Sequence, residues 1–375
     1  PDTGSLTLDN FIEVFTRNYY LNGLKNTLFV GALGTLGACL IGIPLAFFTT
    51  RFLITGKTLI STLAILVLVS PPFISAYAWI MMMGSNGVIT NFFGGIGINI
   101  PTIYGAHGII LVFSLKFFPF IFLMTQTALT AVNKSFEDAA ENLGCSPWQR
   151  FVKVTLPLVF PAVSTGAIIC FVLSIADFGT PAILGRGFRT LSTIALSAYR
   201  SELGGPPTMA VTVSILMMAI SMIALVAQRR ILANRRYASS LTNLPVAVKL
   251  SGWKNAAVHF FSHGIVFLAM LPSAVVVYTS FLKTKGPVFV GGFGLEIYDR
   301  IWRDAPDAIY NSFLFAIIAV TFITITSGLI SYVIVRRDTK AAAAIDFLMM
   351  VPYLVPGVVM AIGFVTVFRN GMPNF

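Results

Sequence analysis

The residue pattern with the clearest functional signal lies in a polar segment, 133–160, between two long apolar stretches. Acidic residues stand near its start, followed by Ala139-Ala140 and then Gly144, a residue that accepts the left-handed conformation at a helix end. This order predicts a short helix over about 134–143. Small alanine side chains beside a glycine turn can enter a groove on another protein, although an ordinary structured loop has the same pattern.

The rest of this segment predicts a second short helix. Ser146 stands at the N-cap position, Pro147 at the first helical position, and Gln149 completes a capping box. We expect Pro157 to end this helix before the next apolar stretch begins. The two helices would form one rigid, bent element.

Two charged residues fall within apolar stretches. Lys116 lies among Phe117, Phe118 and Phe120, and Asp177 lies at the end of its stretch. A charge in apolar surroundings is costly, so each should face a partner, a bundle interior or water. Lys116 therefore either lines a pathway or holds helices together. Asp177 either pairs with a basic group, the favoured role, or faces the mouth of a pathway.

The other reactive residues do not assemble into a recognisable site. Residues 56–58, Gly-Lys-Thr, resemble the end of a phosphate-binding loop, but Arg51 occupies the position of its first glycine. His259 and His263 stand four apart without an evident third metal ligand. We therefore expect no catalytic residue, no metal site and no ATP hydrolysis by this chain.

The composition indicates that these residues belong to a membrane protein. Hydrophobic residues make up 56% of the 375 positions and charged residues 10%, against roughly 25% charged in soluble domains. The net charge of +11 is spread over sparse basic residues without the basic, aromatic-interleaved face of a nucleic-acid binder. We predict an all-α polytopic protein in the lipid bilayer, with no nucleic-acid partner.

Eight stretches are apolar and long enough to cross a bilayer as helices, and their continuous rather than alternating pattern argues against a β-barrel. Prolines in several of them predict kinked helices. The eight stretches are about 25–50, 59–83, 105–132, 161–180, 207–228, 258–281, 309–335 and 346–368.

The connections between these stretches differ in their content of lysine and arginine. Segments 51–58, 133–160, 229–257 and 336–345 carry about twice the density of basic residues found in the other connections. Because positive residues concentrate on the cytoplasmic side, we place these four segments inside the cell.

The chain partly matches itself at a shift of 285 residues. Such a repeat predicts a twelve-helix protein with two parallel six-helix halves, of which this chain would be a fragment cut at both ends. The matched positions are Asn26 and Asn311, Arg51 and Arg336, Pro71 and Pro356, and Ala76 and Ala361. The predicted parts are a first half at 1–231, a cytoplasmic linker at 232–257 and a second half at 258–375.

The polar segment resembles the EAA signature of binding-protein-dependent ABC importer permeases, and the resemblance extends to nearly the whole chain. That signature reads Glu-Ala-Ala, three residues, Gly, nine residues, then Ile-x-Leu-Pro. The spacing matches here, with Asp138 in place of Glu, Val154 in place of Ile, and Glu137 one position earlier. The matching residues are Asp138, Ala139, Ala140, Gly144, Val154, Leu156 and Pro157.

The resemblance implies the type I ABC importer permease fold and a role for this segment as the coupling helix. These residues and Glu137 would then contact a separate cytoplasmic ATPase, present as two ATP-binding cassette subunits that hold ATP and magnesium. A periplasmic or lipoprotein solute-binding protein is the other implied partner. The implied location is the bacterial inner membrane, with 133–160 in the cytoplasm and no cofactor on this chain.

The fused two-half layout and the stretch 176–181 most resemble ferric-iron-type permeases. Permeases for thiamine, aminoethylphosphonate or polyamines are similar enough to remain alternatives. A secondary transporter driven by an ion gradient would need several buried carboxylates or histidines. The apolar stretches offer few charged residues, chiefly Lys116 and Asp177. An intramembrane enzyme would need a nucleophile or metal set.

Overall fold

The computed structural model describes residues 8–201, 208–233, 246–285, 288–337 and 339–368. These residues are almost wholly helical, which confirms the all-α prediction. The helices are α1 Asp9–Thr16, α2 Asn18–Arg51, α3 Lys57–Val69, α4 Pro72–Met83, α5 Val88–Gly95, α6 Ala106–Ala131, α7 Lys134–Asn142, α8 Pro147–Arg150, α9 Leu156–Ala176, α10 Gly179–Leu184, α11 Leu191–Ser201, α12 Thr208–Ala233, α13 Gly252–Ser280, α14 Glu296–Asp304, α15 Pro306–Arg336, α16 Lys340–Leu354 and α17 Gly357–Phe368. A hairpin of strands β1 (Leu282–Lys285) and β2 (Val288–Phe293) precedes α14.

Among the described residues, six helices are long and apolar enough to cross a membrane, and a bent pair makes a seventh candidate. The bent pair joins Lys57–Val69 to Phe73–Gly95 at an angle of 104°. The six are Asn18–Arg51, Ala106–Ala131, Pro147–Ala176, Thr208–Arg230, Gly252–Ser280 and Pro306–Arg336. The predicted total of about eight spans is therefore not confirmed.

Prolines explain both differences from the predicted spans. Ser70 is extended, with ψ of 124°, because the residue before a proline avoids the helical region, and the chain turns at Pro71. Pro356 likewise lies between α16 and α17, so the predicted stretch 346–368 is not one continuous helix. With 15 and 12 residues, these two helices are each shorter than the roughly 20 residues that a span requires.

Small residues let α2 approach α6 closely. Gly34, Ala38 and Gly42 stand four residues apart and therefore share one face of α2. A Cβ atom added to Gly42 would lie 2.9 Å from the backbone oxygen of Phe118, and one added to Gly34 would lie 2.8 Å from Cβ of Phe113. The packing of these two helices depends on the absence of side chains at these glycines.

The chain divides into two compact units. The first comprises residues 1–273 and 355–375, and the second comprises residues 274–354. The first unit contains a buried apolar cluster that includes Ile175, Leu191 and Met217. The second unit contains the hairpin, α14, α15 and α16.

Helix boundaries recur at the shift that the sequence repeat predicts. Helices α2 and α15 end at Arg51 and Arg336, which are 285 residues apart. Helices α3 and α16 end at Val69 and Leu354 with the same separation, and α4 and α17 begin at Pro72 and Gly357, which are also 285 residues apart. These positions agree with the predicted repeat, whereas the division into halves at 1–231 and 258–375 stays a prediction.

We predict that Gly42→Leu destabilises the protein, because the added side chain must push apart α2 and the backbone of α6. The expected loss is about 1–3 kcal/mol, measured as a lower apparent melting temperature in detergent. The control is Gly264→Leu in α13, where an added Cβ has no neighbour within 4 Å. Equal melting temperatures for both variants would contradict the close packing of α2 on α6.

Candidate functional site

Local hydrogen bonds fix the first short helix of the polar segment. The side chain of Asn133 accepts a bond from the backbone N–H of Ser135 at 2.9 Å, which caps the start of α7. At the other end, Gly144 has a φ of +82°, and the Cys145 N–H donates to the Ala140 carbonyl at 3.0 Å. The structure therefore contains the predicted helix and its glycine turn.

The second helix begins as predicted but continues further. Ser146 and Gln149 form the capping box, with both side-chain-to-backbone bonds present. Pro157 does not end the helix, contrary to the prediction. Instead a π-helical turn at Phe151–Thr155, in which the Leu156 N–H donates to the Phe151 carbonyl, leads directly into α9. Pro157 is the second residue of α9 and lies inside this continuous run of helix, where proline removes one backbone hydrogen bond without ending the helix.

Ion pairs anchor the segment to the membrane helices. Arg51, the last residue of α2, contacts Glu137 with 2.6 Å between Nη2 and Oε1, and Thr155 donates to the same oxygen at 2.9 Å. The side chains of Arg51 and Glu137 are only 8% and 18% exposed. Arg150 pairs with Glu141 and so links α8 to α7. These partners were not predicted from the sequence, although the match between Arg51 and Arg336 in the repeat singled out the position of Arg51.

Large apolar side chains of the same segment face outward. Leu143, Trp148 and Phe136 are 84%, 72% and 51% exposed. Ala139 is exposed and Ala140 is buried, so the alanine pair spans the edge of this surface. Exposed large apolar residues on a polar element that is anchored by ion pairs are typical of a protein-binding surface.

A cavity of about 330 Å³ lies between this segment and the end of α2. Its lining includes Arg51, Glu137 and Arg150 as well as Val248. Val248 forms a parallel bridge with Phe52, donating its N–H to the Arg51 carbonyl at 2.9 Å. The chain that precedes α13 therefore contributes to the same surface.

The remaining motif residues have simpler surroundings. Asp138 lies 4.0 Å from Lys134, one helical turn earlier, and both side chains are about half exposed. Val154, Leu156 and Pro157 are half-buried where the π-helical turn joins α9. The structure thus collects all predicted coupling residues at one end of the bundle, and their coupling role stays a prediction.

The two charged residues of the apolar stretches form an ion pair with each other. Lys116 of α6 contacts the Asp177 carboxylate, and their side chains are 12% and 3% exposed. The other oxygen of Asp177 accepts a bond from the Thr180 N–H at 2.8 Å, which fixes the start of α10. Lys116 also borders a cavity of about 10 Å³, room for one water molecule, beside Ser70 and Ser75. The favoured pairing of Asp177 with a basic group is thus observed, Lys116 holds helices together through this carboxylate, and a pathway role for either residue stays a prediction.

The histidines at 259 and 263 have their own hydrogen bonds. His259 Nδ1 lies 2.9 Å from the Asn255 carbonyl, and its Nε2 accepts the Thr55 N–H at 3.2 Å. His263 stacks on His259 with 5.9 Å between ring centroids. Residues 56–58 follow a helix rather than a strand, unlike a phosphate-binding loop.

Comparison with known proteins gives a consistent family assignment. A family model described as binding-protein-dependent transport system inner membrane component matches residues 39–237. The chain is 27% identical, over 96% of its length, to the putative ferric transport system permease protein FbpB 1 of Haemophilus influenzae, and it covers 58% of that protein. It is 26% identical, again over 96% of its length, to the ferric transport system permease protein FbpB of Actinobacillus pleuropneumoniae, and it covers 54% of it.

A third relative matches a shorter part of the chain. The molybdenum transport system permease protein ModB of Escherichia coli strain K12 is 30% identical to the chain. The match includes 41% of the chain and 66% of that protein. The chain thus spans little more than half the length of the two ferric permease relatives and shares a smaller region with the molybdenum permease.

We predict that Glu137→Ala lowers the stability by about 3 kcal/mol, because it leaves the buried Arg51 guanidinium without its carboxylate. Thermal unfolding of the purified protein in detergent measures the effect. The matched control is Asp138→Ala, whose half-exposed ion pair should contribute less than about 1 kcal/mol. If the two variants unfold at the same temperature, the Arg51–Glu137 pair does not anchor the segment.

For the buried pair we predict strong coupling between its two members. Lys116→Met and Asp177→Asn should each destabilise the protein, because each leaves one buried charge alone, and asparagine keeps the bond to Thr180. The double variant should lose about 1–3 kcal/mol less stability than the sum of the losses of the two single variants. Apparent melting temperatures of the four proteins test this, and additive effects would contradict it.

Proposed function

The chain belongs to the family of binding-protein-dependent transport system inner membrane components, and we propose that it works as the membrane-spanning permease part of an ATP-driven importer. It is a multi-pass inner membrane protein, as the EAA-like motif implied. The proposed role is transport rather than catalysis. ATP and magnesium would be held by a separate ATPase, most simply as two copies.

The observation that carries this proposal is the construction of the segment 133–160. Its apolar side chains, Leu143 and Trp148, are exposed, while its backbone is fixed by caps and by the Arg51–Glu137 ion pair. An ATPase that binds the exposed apolar side chains would therefore move the end of α2 together with the segment. Such a rigid connection is what a coupling helix requires.

The membrane end of the same segment supports this mechanism. Helix α9 continues directly from the π-helical turn, so the span Pro147–Ala176 starts within the proposed coupling element. A push on Trp148 would be transmitted along this span without passing through a flexible loop. Closure of the ATPase would in this way switch the bundle between inward-open and outward-open states.

We propose ferric iron as the cargo. The support is the match to two ferric transport permeases over 96% of the chain. The molybdenum permease matches over 41%, and a molybdenum oxyanion is the competing cargo. Thiamine, aminoethylphosphonate and polyamines stay open as alternatives from the sequence resemblance.

An ion-coupled secondary transporter is the rival function. It needs titratable groups that can release and bind ions during the cycle. Asp177 and Glu137 are largely buried carboxylates, and each is held in an ion pair, Asp177 by Lys116 and Glu137 by Arg51. This arrangement favours the ATP-driven mechanism.

We predict that Gly144→Val abolishes coupling. Gly144 has a φ of +82° and no neighbour within 4 Å of an added Cβ, so valine strains and displaces the exposed turn without disturbing the core. The full-length protein should then lose most of its ATPase subunit during co-purification, and ATP-dependent uptake of radioactive iron into vesicles should fall to background.

The matched control for this prediction is Gly97→Val. Gly97 has a φ of +79°, equally open surroundings and a place in a connection predicted to lie outside the cell. This variant should keep its ATPase. Unchanged co-purification and uptake for Gly144→Val would refute the coupling role, whereas uptake of molybdate in place of iron would refute only the proposed cargo.

A further inference from the structure

Three arginines border one open cleft beyond the end of α9, at the opposite end of the span Pro147–Ala176 from the coupling segment. Arg186, Arg189 and Arg200 are exposed and line a cavity of about 250 Å³ together with residues of α10 and α11. Within the described part of the chain, no carboxylate forms a salt bridge with any of the three. The cleft therefore presents a concentrated positive charge that this part of the chain leaves unneutralised.

Aromatic rings hold two of the three guanidinium groups in place. The guanidinium carbon of Arg186 lies 3.3 Å from the ring centroid of Tyr104, and that of Arg189 lies 5.1 Å from the centroid of Tyr19. A stacked guanidinium keeps its N–H edges free, and these edges match the two oxygens of a carboxylate. The arginines are thus positioned for carboxylates before any ligand arrives.

The loop that carries these arginines is fixed to the helix bundle. Arg186 adopts a φ of +40°, which is strained for a residue with a side chain, in a turn closed by the bond from the Phe188 N–H to the Gly185 carbonyl at 2.8 Å. The Asn26 side chain of α2 donates to the Arg189 carbonyl at 2.9 Å. A strained residue in a rigid turn persists where the surrounding structure enforces it.

We propose that this cleft receives acidic side chains of the solute-binding partner during docking. The proposal rests on the importer function proposed above. A site for a free small molecule encloses most of its ligand, whereas these arginines are exposed and the cleft is open. A folded partner supplies both the carboxylates and the surface that covers them, and covered charge pairs steer and stabilise association.

The position of the cleft gives docking a route to the membrane interior. Phe178 and Pro181 line the cleft, and Asp177 immediately precedes them. Asp177 binds the Thr180 N–H and, through its backbone carbonyl, the Ser192 hydroxyl at 3.0 Å. A partner seated in the cleft therefore contacts the same turn that holds the buried Lys116–Asp177 pair.

The test uses the full-length protein in nanodiscs and an acetylated triglutamate peptide as the probe. We expect binding that weakens as salt is added. The variant R186Q/R189Q/R200Q should bind the probe about tenfold more weakly. The matched control K283Q/R300Q/R303Q removes three basic residues from another connection that is predicted to lie outside, and it should bind like the original protein.

A charge reversal provides the second arm. R186E/R189E/R200E should bind acetylated trilysine and reject triglutamate. Equal triglutamate binding by the two glutamine variants, no binding by the original protein, or binding of citrate or phosphate without triglutamate would each overturn the proposal. Co-purification of the ATPase should be unchanged in the arginine variants, so failure of the coupling role is detected separately.

Discussion

The ion pair between Arg51 and Glu137 determines how the polar segment relates to the membrane helices. Both side chains are largely buried, and a buried charge is tolerated only with a partner of opposite sign and further hydrogen bonds. Thr155 supplies the further bond from the start of α9. Three parts of the chain, the end of α2, the first short helix and the beginning of α9, are therefore held at one carboxylate.

The same need for a partner of opposite charge applies to the two charged residues within the helix bundle. Lys116 and Asp177 come from helices whose other inward-facing residues are apolar or small, and they neutralise each other. Glycines on α2 bring its backbone close to α6 and leave room there for large buried side chains such as Phe113. Charge pairing and close backbone packing together explain how so apolar a chain specifies one arrangement of helices.

The features that could be predicted from the sequence are those set by neighbouring residues. The capping box of Ser146 and Gln149 and the turn at Gly144 need residues within five positions, and both have the predicted form. The partners of Glu137 and Lys116 lie 86 and 61 positions away, so only the fold reveals them. The predicted total of about eight spans is not confirmed, because Pro71 and Pro356 interrupt the helices there, and a run of apolar residues does not reveal the missing N–H of a proline.

One helix joins the two surfaces to which partners are assigned. The span Pro147–Ala176 begins beside Trp148 on the proposed coupling surface, and it ends next to Asp177, whose turn supports the arginine cleft. A displacement of its first turns changes the environment of Thr155 and the Arg51–Glu137 pair, and a displacement of its last turns changes the Lys116–Asp177 pair. Both ion pairs are buried, and separating either pair would leave two unpaired charges in apolar surroundings. Each pair therefore opposes a partial displacement of the helix end beside it. The span is therefore suited to moving as a unit between two arrangements, which is the property that coupling between distant surfaces requires.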